Sequence, residues 1–296
     1  PVMDYRAMNS HVMSHPGVDV AVCQEKLREW RKKGTKAFML DLQKAYLQIH
    51  ISEDLQRFQI VKHREKKYVM TRMGFGLNVA PKIMSKILST VLSQDEEIKA
   101  GTDHYVDDIL VDGSIVEVKK VKEHLLKYGL TAKEPIPLSD ARVLGLRVQR
   151  TDAGLYEWGR DGALPEVEEG LSKRDLFSLC GRLTGHYPVA GWLRTACSYV
   201  KRMANEVAWD EKVPQHVLQL ANDVVARVQE KDPARGIWQV PILGRAQLWC
   251  DASSLAIGCC LMVNDHVVED AAWMRKQDDG AHINVAELEA VVKGLN

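Results

Sequence analysis

Asp107 and Asp108 stand side by side between apolar runs, with Tyr105 and Val106 before them and Ile109, Leu110 and Val111 after. The pattern predicts a β-hairpin with an acidic tip, because Asp tolerates turn dihedrals that β-branched residues resist. In isolation such a pair reads as a solvated turn. Here the acids abut strand-like runs rather than a Gly, Asn or Ser cluster, and adjacent like charges repel unless a cation lies between them. A second carboxylate, Asp41, ends the short apolar run Phe38-Met39-Leu40. Charge is rarely buried there without a partner, although Asp41 could instead cap the turn at residues 43–46. Asp41 and Asp107 lie 66 residues apart, which leaves room for a strand-helix-strand excursion that joins them. Three carboxylates gathered on hard cations suit phosphoryl transfer, where metal lowers the pKa of an attacking hydroxyl and neutralises charge on phosphorus oxygens.

The elements that must position these acids are legible nearby. Residues 21–33 form an amphipathic helix with Val22, Leu27 and Trp30 available to pack, stopped by Gly34. Residues 58–61 and 68–71 pair across the basic loop at 63–67. Pro81 opens a helix whose apolar face is Ile83, Ile87, Leu88 and Val91. Ser114 caps a helix that runs through Tyr128 and ends at Gly129. Arg142 to Val148 is a strand whose Gly145 marks a turn or a close approach, and loop signals at 152–165 mark a boundary.

Bulk properties narrow the class. The 296 residues are 46% hydrophobic and 27% charged, a globular composition with no apolar run approaching a membrane span. Net charge is zero, but residues 1–150 carry 25 Lys/Arg against 19 Asp/Glu and residues 151–296 carry 15 against 21. Because several acids of the first half are the proposed metal ligands, its remaining surface suits phosphates. Six cysteines show no C-x-x-C spacing and read as free thiols in a reducing compartment.

The ordered motifs resemble those of reverse transcriptases. Tyr105-Val106-Asp107-Asp108 is similar to their Y-x-D-D box, and Asp41 with Tyr46 resembles their first palm motif. Phe75-Gly76-Leu77-Asn78-Val79-Ala80-Pro81 resembles the intervening F-G-x-x-x-x-P stretch of elements with long terminal repeats. Val2 to Asn9 resembles the D-Y-R-x-L-N end of the fingers, whose upstream basic strands would precede Pro1. By that resemblance Asp41, Asp107 and Asp108 bind two Mg²⁺ ions (Mn²⁺ as an alternative), joined by the carbonyl of Leu42. Tyr46 lies under the sugar of the incoming nucleotide and excludes a 2′-hydroxyl. Phe75, Gly76 and Asn78 approach nucleotide and template, Tyr105 belongs to the same substrate-facing set, and Val106 touches the primer terminus.

Residues 171–202 hold six basic side chains against Asp175 alone, interleaved with Tyr187, Trp192 and Tyr199. The stretch suits a duplex-tracking surface and resembles a helical thumb, opened by a Ser172–Asp175 capping box. This run and Leu144-Gly145-Leu146 are closer to the Bel-Pao type than to Gypsy or retroviruses. Leu248-Trp249-Cys250-Asp251 repeats the strand that ends in Asp, followed by a hairpin across Asn264-Asp265. It resembles the opening of a ribonuclease H domain, with Asp251 and Glu287 as metal candidates. Asn284 with Glu287 also makes a capping-type helix start. The chain ends before the later acidic ligands of such a site, so this module is expected to be inactive as given.

The reading is an α+β retroelement polymerase: a palm of split β-α-β antiparallel sheet with helices, a fingers remnant, a helical thumb and a partial α/β ribonuclease H-like module. Boundaries fall at 1–160 for fingers remnant and palm, 161–240 for thumb and connection, and 245–296 for the ribonuclease H start. Expected partners are an RNA or DNA template-primer duplex and dNTPs, with no membrane. The expected location is intracellular, in the cytoplasm or within virus-like particles. An RNA-templated RNA polymerase and a non-catalytic nucleic-acid-binding remnant remain as alternatives.

Overall fold

The computed structural model describes residues 4–13, 20–240 and 243–296, so Val2 and Met3 of the opening motif lie outside the described residues. The chain divides into two compact units, Pro1–Ala141 and Arg142–Asn296.

The first unit runs α1 (Arg6–Asn9), α2 (Val20–Arg31), β1 (Ala37–Asp41), α3 (Glu53–Gln56), β2 (Ile60–His63) and β3 (Lys66–Val69). It continues with α4 (Ala80–Leu92), α5 (Glu96–Gly101), β4 (Thr102–Tyr105), β5 (Asp108–Asp112), α6 (Val118–Lys127) and β6 (Ile136–Pro137). An antiparallel sheet has the order β4-β5-β1-β6. Leu40, Ile109 and Val111 join Met84 and Leu88 of α4 and Val121 and Leu125 of α6 in one buried cluster. Met39 and Leu110, next to them along the strands, are buried as well. Strands covered on both faces need unbroken apolar runs, which is why the sequence around the acids does not alternate.

Three helices of this unit depart in part from their sequence expectation. The buried stripe of α4 is Met84, Leu88, Val91 and Leu92, and Ile83 is exposed, because the row continuing from buried Ala80 meets the core. Ser114 does not cap α6. Asp112 accepts hydrogen bonds from its amide (3.0 Å) and hydroxyl (2.5 Å), and the helix begins later, at Val118. Gly129, with φ +78°, closes α6 as expected, and Leu130 N–H donates to the Leu125 carbonyl. In α2, Leu27 and Trp30 are buried while Val22 is exposed. The β2–β3 hairpin turns through Arg64 and Glu65, both left-handed.

The second unit runs β7 (Arg142–Val143), β8 (Leu146–Arg150), β9 (Tyr156–Arg160), α7 (Lys173–Thr184), α8 (Trp192–Met203) and α9 (Gln215–Glu230). Then come β10 (Arg235–Ile237), β11 (Ala246–Ala252), β12 (Ala256–Val263), β13 (His266–Met274) and α10 (Ile283–Leu295). Strands β10-β9-β8-β7 form a sheet in which Gly159 pairs with Arg235. That ladder ties residues 142–160 to a segment far downstream, so the compact units part at Ala141 rather than at the loop signals near 160. Helices α7 to α9 share a core of Leu176, Leu183, Leu193, Val200, Val217 and Val225. Ser172 and Asp175 form the anticipated capping box. In α10, Ala286 and Ala290 pack with Ile257 of the β11-β12-β13 sheet.

The architecture is the mixed α+β arrangement of antiparallel sheets and helices expected from the sequence. Among the described residues, no helix is long and apolar enough to cross a membrane. All six cysteines are free. Leu40→Ala removes a fully buried side chain behind Asp41 and is expected to destabilise the first unit by about 2–4 kcal/mol in urea unfolding.

Candidate active site

β1 and β5 pair antiparallel, and the last residue of one faces the first residue of the other: Asp41 and Asp108 are cross-strand partners. Asp107 sits in the turn between β4 and β5, whose closing pair is Tyr105 and Asp108. The three acids therefore meet at one end of the sheet. The turn is not the acidic tip expected from the sequence. Val106 takes the left-handed conformation, with φ +56°, and Asp108 already belongs to the strand. A β-branched residue resists that conformation at a cost of about 1–3 kcal/mol, strain that surrounding packing must hold.

That packing comes from α2 and α4. Lys26 Nζ and Trp30 Nε1 both donate to the Asp103 carboxylate, at 2.5 and 2.8 Å, fastening α2 to β4. Burial alone would raise the pKa of Asp103, but these two bonds, the Lys26 charge and the His104 amide together outweigh it and hold the group below the usual carboxylate range. The His104 ring lies 3.0 Å from the Ser85 carbonyl oxygen of α4, and burial lowers its pKa. The buried Cys23 thiol of α2 hydrogen-bonds with the Tyr105 side chain.

The acids themselves are electrostatically unsettled. Burial, then repulsion from Asp107 and Asp41, pushes the Asp108 carboxyl up to about 6, against a smaller opposing effect of Lys133. Asp107 is also raised, chiefly by burial and further by Asp41. Asp41 does not cap the following turn; its carboxylate is paired with the Lys133 ammonium. As the side chains stand, no three His, Cys, Asp or Glu groups among the described residues close on a point that would hold a metal. The donor set nevertheless suits a hard divalent cation. All the donors are carboxylate oxygens, and two of them are held against their own charge by burial and mutual repulsion, both of which a cation relieves.

Around the acids, Tyr46 is half-buried and meets Phe75 edge-on, ring centroids 5.0 Å apart. Phe75, Gly76 and Asn78 are exposed. Their loop is tethered by Asn9, whose side-chain amide donates to the Gly76 carbonyl (2.8 Å) and whose oxygen accepts from the Asn78 amide (3.0 Å). Gly74 lies against the buried Tyr5 ring, and a Cβ there would lie 2.0 Å from the Tyr5 hydroxyl. The side chain of Leu42 is buried, so a role at the site falls to its carbonyl. Asp4 and Arg6 form an exposed ion pair with each other.

The second acidic pair is placed differently. Asp251 lies on β11 and Glu287 on α10, both exposed. Asp251 borders an open cavity of about 600 Å³ and accepts a hydrogen bond from the Ala252 amide. Asn284 does not begin α10. The His282 ring accepts from its amide, and Glu287 sits within the helix, which removes the capping explanation for Glu287.

Lys133 and Asn9 are the site neighbours that reasoning from the sequence passed over. A lone lysine in a basic half carries no signal, whereas Asn9 stands within a recognisable motif.

The three carboxylates lie at one end of an antiparallel sheet that packs against α4 and α6. Residues 1–134 match the family described as "Reverse transcriptase (RNA-dependent DNA polymerase)", and residues 172–230 match "Domain of unknown function (DUF7047)". The foamy viral protease-reverse transcriptase in complex with dsDNA superposes with a TM-score of 0.72 at 16% identity, covering 99% of this chain and 62% of that one. Its structure with an RNA/DNA hybrid gives 0.67 at 15%, covering 99% and 40%. A Caenorhabditis elegans protein, "Uncharacterized protein K02A2.6", is 31% identical over 104 residues, which is 33% of this chain and 8% of that protein. The chain thus spans under two thirds of these relatives. Residues 1–134 are thus similar to the reverse transcriptase family, and the chain carries the fold of these reverse transcriptase structures.

The raised pKa of Asp108 has a stability consequence. The folded protein holds that proton more tightly than the unfolded chain, so charging Asp108 weakens the fold as pH rises from the ordinary carboxylate range through about 6, and the loss is complete above that. Asp108→Asn is expected to stabilise the metal-free protein by about 1–3 kcal/mol at neutral pH, and to leave it unchanged near pH 4, in denaturant titrations.

Proposed function

We propose that this chain is the polymerase portion of a retroelement reverse transcriptase, copying RNA and DNA templates into DNA. One observation carries the reading: Asp41, Asp107 and Asp108 share a sheet end, two of them raised in pKa by burial and repulsion. In the reaction the primer 3′-hydroxyl attacks the α-phosphorus of a dNTP, and pyrophosphate leaves. Asp41 and Asp107 would hold two Mg²⁺ ions, or Mn²⁺, with Asp108 assisting and the Leu42 carbonyl completing the oxygen set. When bound, the metal supplies hydroxyl activation and charge neutralisation at phosphorus. The chain's own contribution is positioning in a prearranged polar setting.

Tyr46, steadied edge-on by Phe75, offers a flat wall for the sugar, too close for a 2′-hydroxyl. The Asn9 tether presents Gly76 and Asn78 to nucleotide and template. Val106, left-handed at the hairpin, would touch the primer terminus, and Tyr105 belongs to the same substrate-facing set. The basic helices α7 and α8 would follow the duplex as a thumb, after a palm with a fingers remnant and before a ribonuclease H opening with Asp251 and Glu287 as its metal candidates. The Leu144-Gly145-Leu146 turn motivates a Bel-Pao affiliation, and the retroelement reading implies action in the cytoplasm or virus-like particles.

Primer extension on an RNA template with Mg²⁺ tests the reading. The chain is expected to add dNTPs, and Asp107→Asn is expected to lower the rate by about 10²–10³-fold or more. Preferred incorporation of ribonucleotides would favour an RNA-templated RNA polymerase, and no incorporation would favour a non-catalytic binding remnant. In the same assay, Tyr46→Ala is expected to raise ribonucleotide incorporation relative to deoxyribonucleotide, while Tyr46→Phe is not.

A further inference from the structure

Lys133 reaches the acidic cluster from beyond α6, 92 residues from Asp41 in sequence. Its segment is stitched to the end of β1 by the backbone. Gln43 N–H donates to the Thr131 carbonyl (2.9 Å), Lys133 N–H donates to the Asp41 carbonyl (2.8 Å), and Leu42 and Ala132 form an antiparallel bridge. The Gln48 side chain clamps the same segment. Its amide nitrogen donates to the Thr131 carbonyl (3.0 Å) and to the Gln43 carbonyl (2.5 Å), and its oxygen accepts from the Thr131 amide (2.6 Å). The Lys133 ammonium then pairs with the Asp41 carboxylate, and its field also favours the charged forms of Asp107 and Asp108. One positive charge serves three acids.

The character of the pair separates it from a structural lock. Arg194 and Asp270 in the second unit are 16% and 10% exposed, and the amides of Ala190 and Gly191 also donate to that aspartate. Lys133 and Asp41 are 56% and 42% exposed, with the ammonium on a flexible stem. An open pair of this kind is weak, and lysine can leave it for water at little cost. A dication on the same carboxylate offers twice the charge and repels the ammonium.

We propose that Lys133 is a built-in counter-ion of the acidic cluster: it stands on Asp41 when no divalent cation is bound, leaves when one binds, and so sets the site's cation affinity, with Gln48 as the positioning residue. The idea rests on the metal-site reading of Asp41, Asp107 and Asp108.

The test is an electron paramagnetic resonance titration of the 296-residue chain with Mn²⁺ alone, without nucleotide or nucleic acid. Lys133→Gln is expected to bind Mn²⁺ about two- to fivefold more tightly than wild type, the range an exposed ion pair supports. Lys133→Arg, which keeps the charge, stays close to wild type, and Gln48→Ala shifts affinity in the same direction as Lys133→Gln by less. In EDTA, Lys133→Gln melts below wild type, and Mn²⁺ removes the difference. Equal or weaker Mn²⁺ binding by Lys133→Gln, with Asp107→Asn still abolishing it, would overturn the counter-ion role and leave the carboxylate site standing. Mn²⁺ binding that ignores Asp107→Asn would overturn the site reading and the counter-ion role with it.

Discussion

The register between β1 and β5 is the constraint on which the site depends. Because side chains alternate along a strand, a slip of one residue would send Asp108 to the opposite face and bury Ile109 and Val111 wrongly. The apolar partners hold the ladder in place: Leu40 faces Ile109 and Phe38 faces Val111, over the core formed by α4 and α6. Hydrophobic burial thus fixes where the charges lie, and the sheet end inherits an electrostatic burden it did not choose. Burial and repulsion raise Asp108 and Asp107, and Lys133 relieves only part of that.

The remainder of the first unit holds that arrangement steady. The left-handed Val106 persists because β4 is pinned by Lys26 and Trp30 on one side and by His104 against α4 on the other. Tyr5 over Gly74 and Asn9 on the Gly76–Asn78 loop bring the N-terminal motif to the wall beside Tyr46 and Phe75. Motifs distant in sequence are therefore joined by a handful of specific contacts as well as by general packing.

Much of this was legible beforehand for physical reasons. Unbroken apolar runs ending in acids announce strands buried on both faces, the hairpin across Asn264-Asp265 follows from turn chemistry, and that at Arg64-Glu65 from the two strand-like runs flanking a basic loop. The capping box at Ser172 and the glycine end of α6 were equally readable. Contacts that depend on tertiary context were not. Ser114 has the right side chain for a cap, but Asp112 claims its amide and hydroxyl first. The stripe of α4 is decided by which row meets the sheet, and Ile83 and Met84 are equally apolar to the reader. Residues 142–160 join the second unit through a ladder to Arg235 that no local pattern encodes. Lys133 is the sharpest omission, since its importance comes only from the backbone stitching that carries it to Asp41.

The central claim is that Asp41, Asp107 and Asp108 share divalent cations at the end of this sheet. Anomalous diffraction from crystals grown with Mn²⁺, a primer-template duplex and a dNTP addresses it most directly. The account predicts Mn²⁺ peaks bounded by the oxygens of Asp41 and Asp107, with the Asp41 side chain turned away from Lys133. Mn²⁺ bound elsewhere, with Asp41 still paired to Lys133 in the presence of nucleotide, would contradict it.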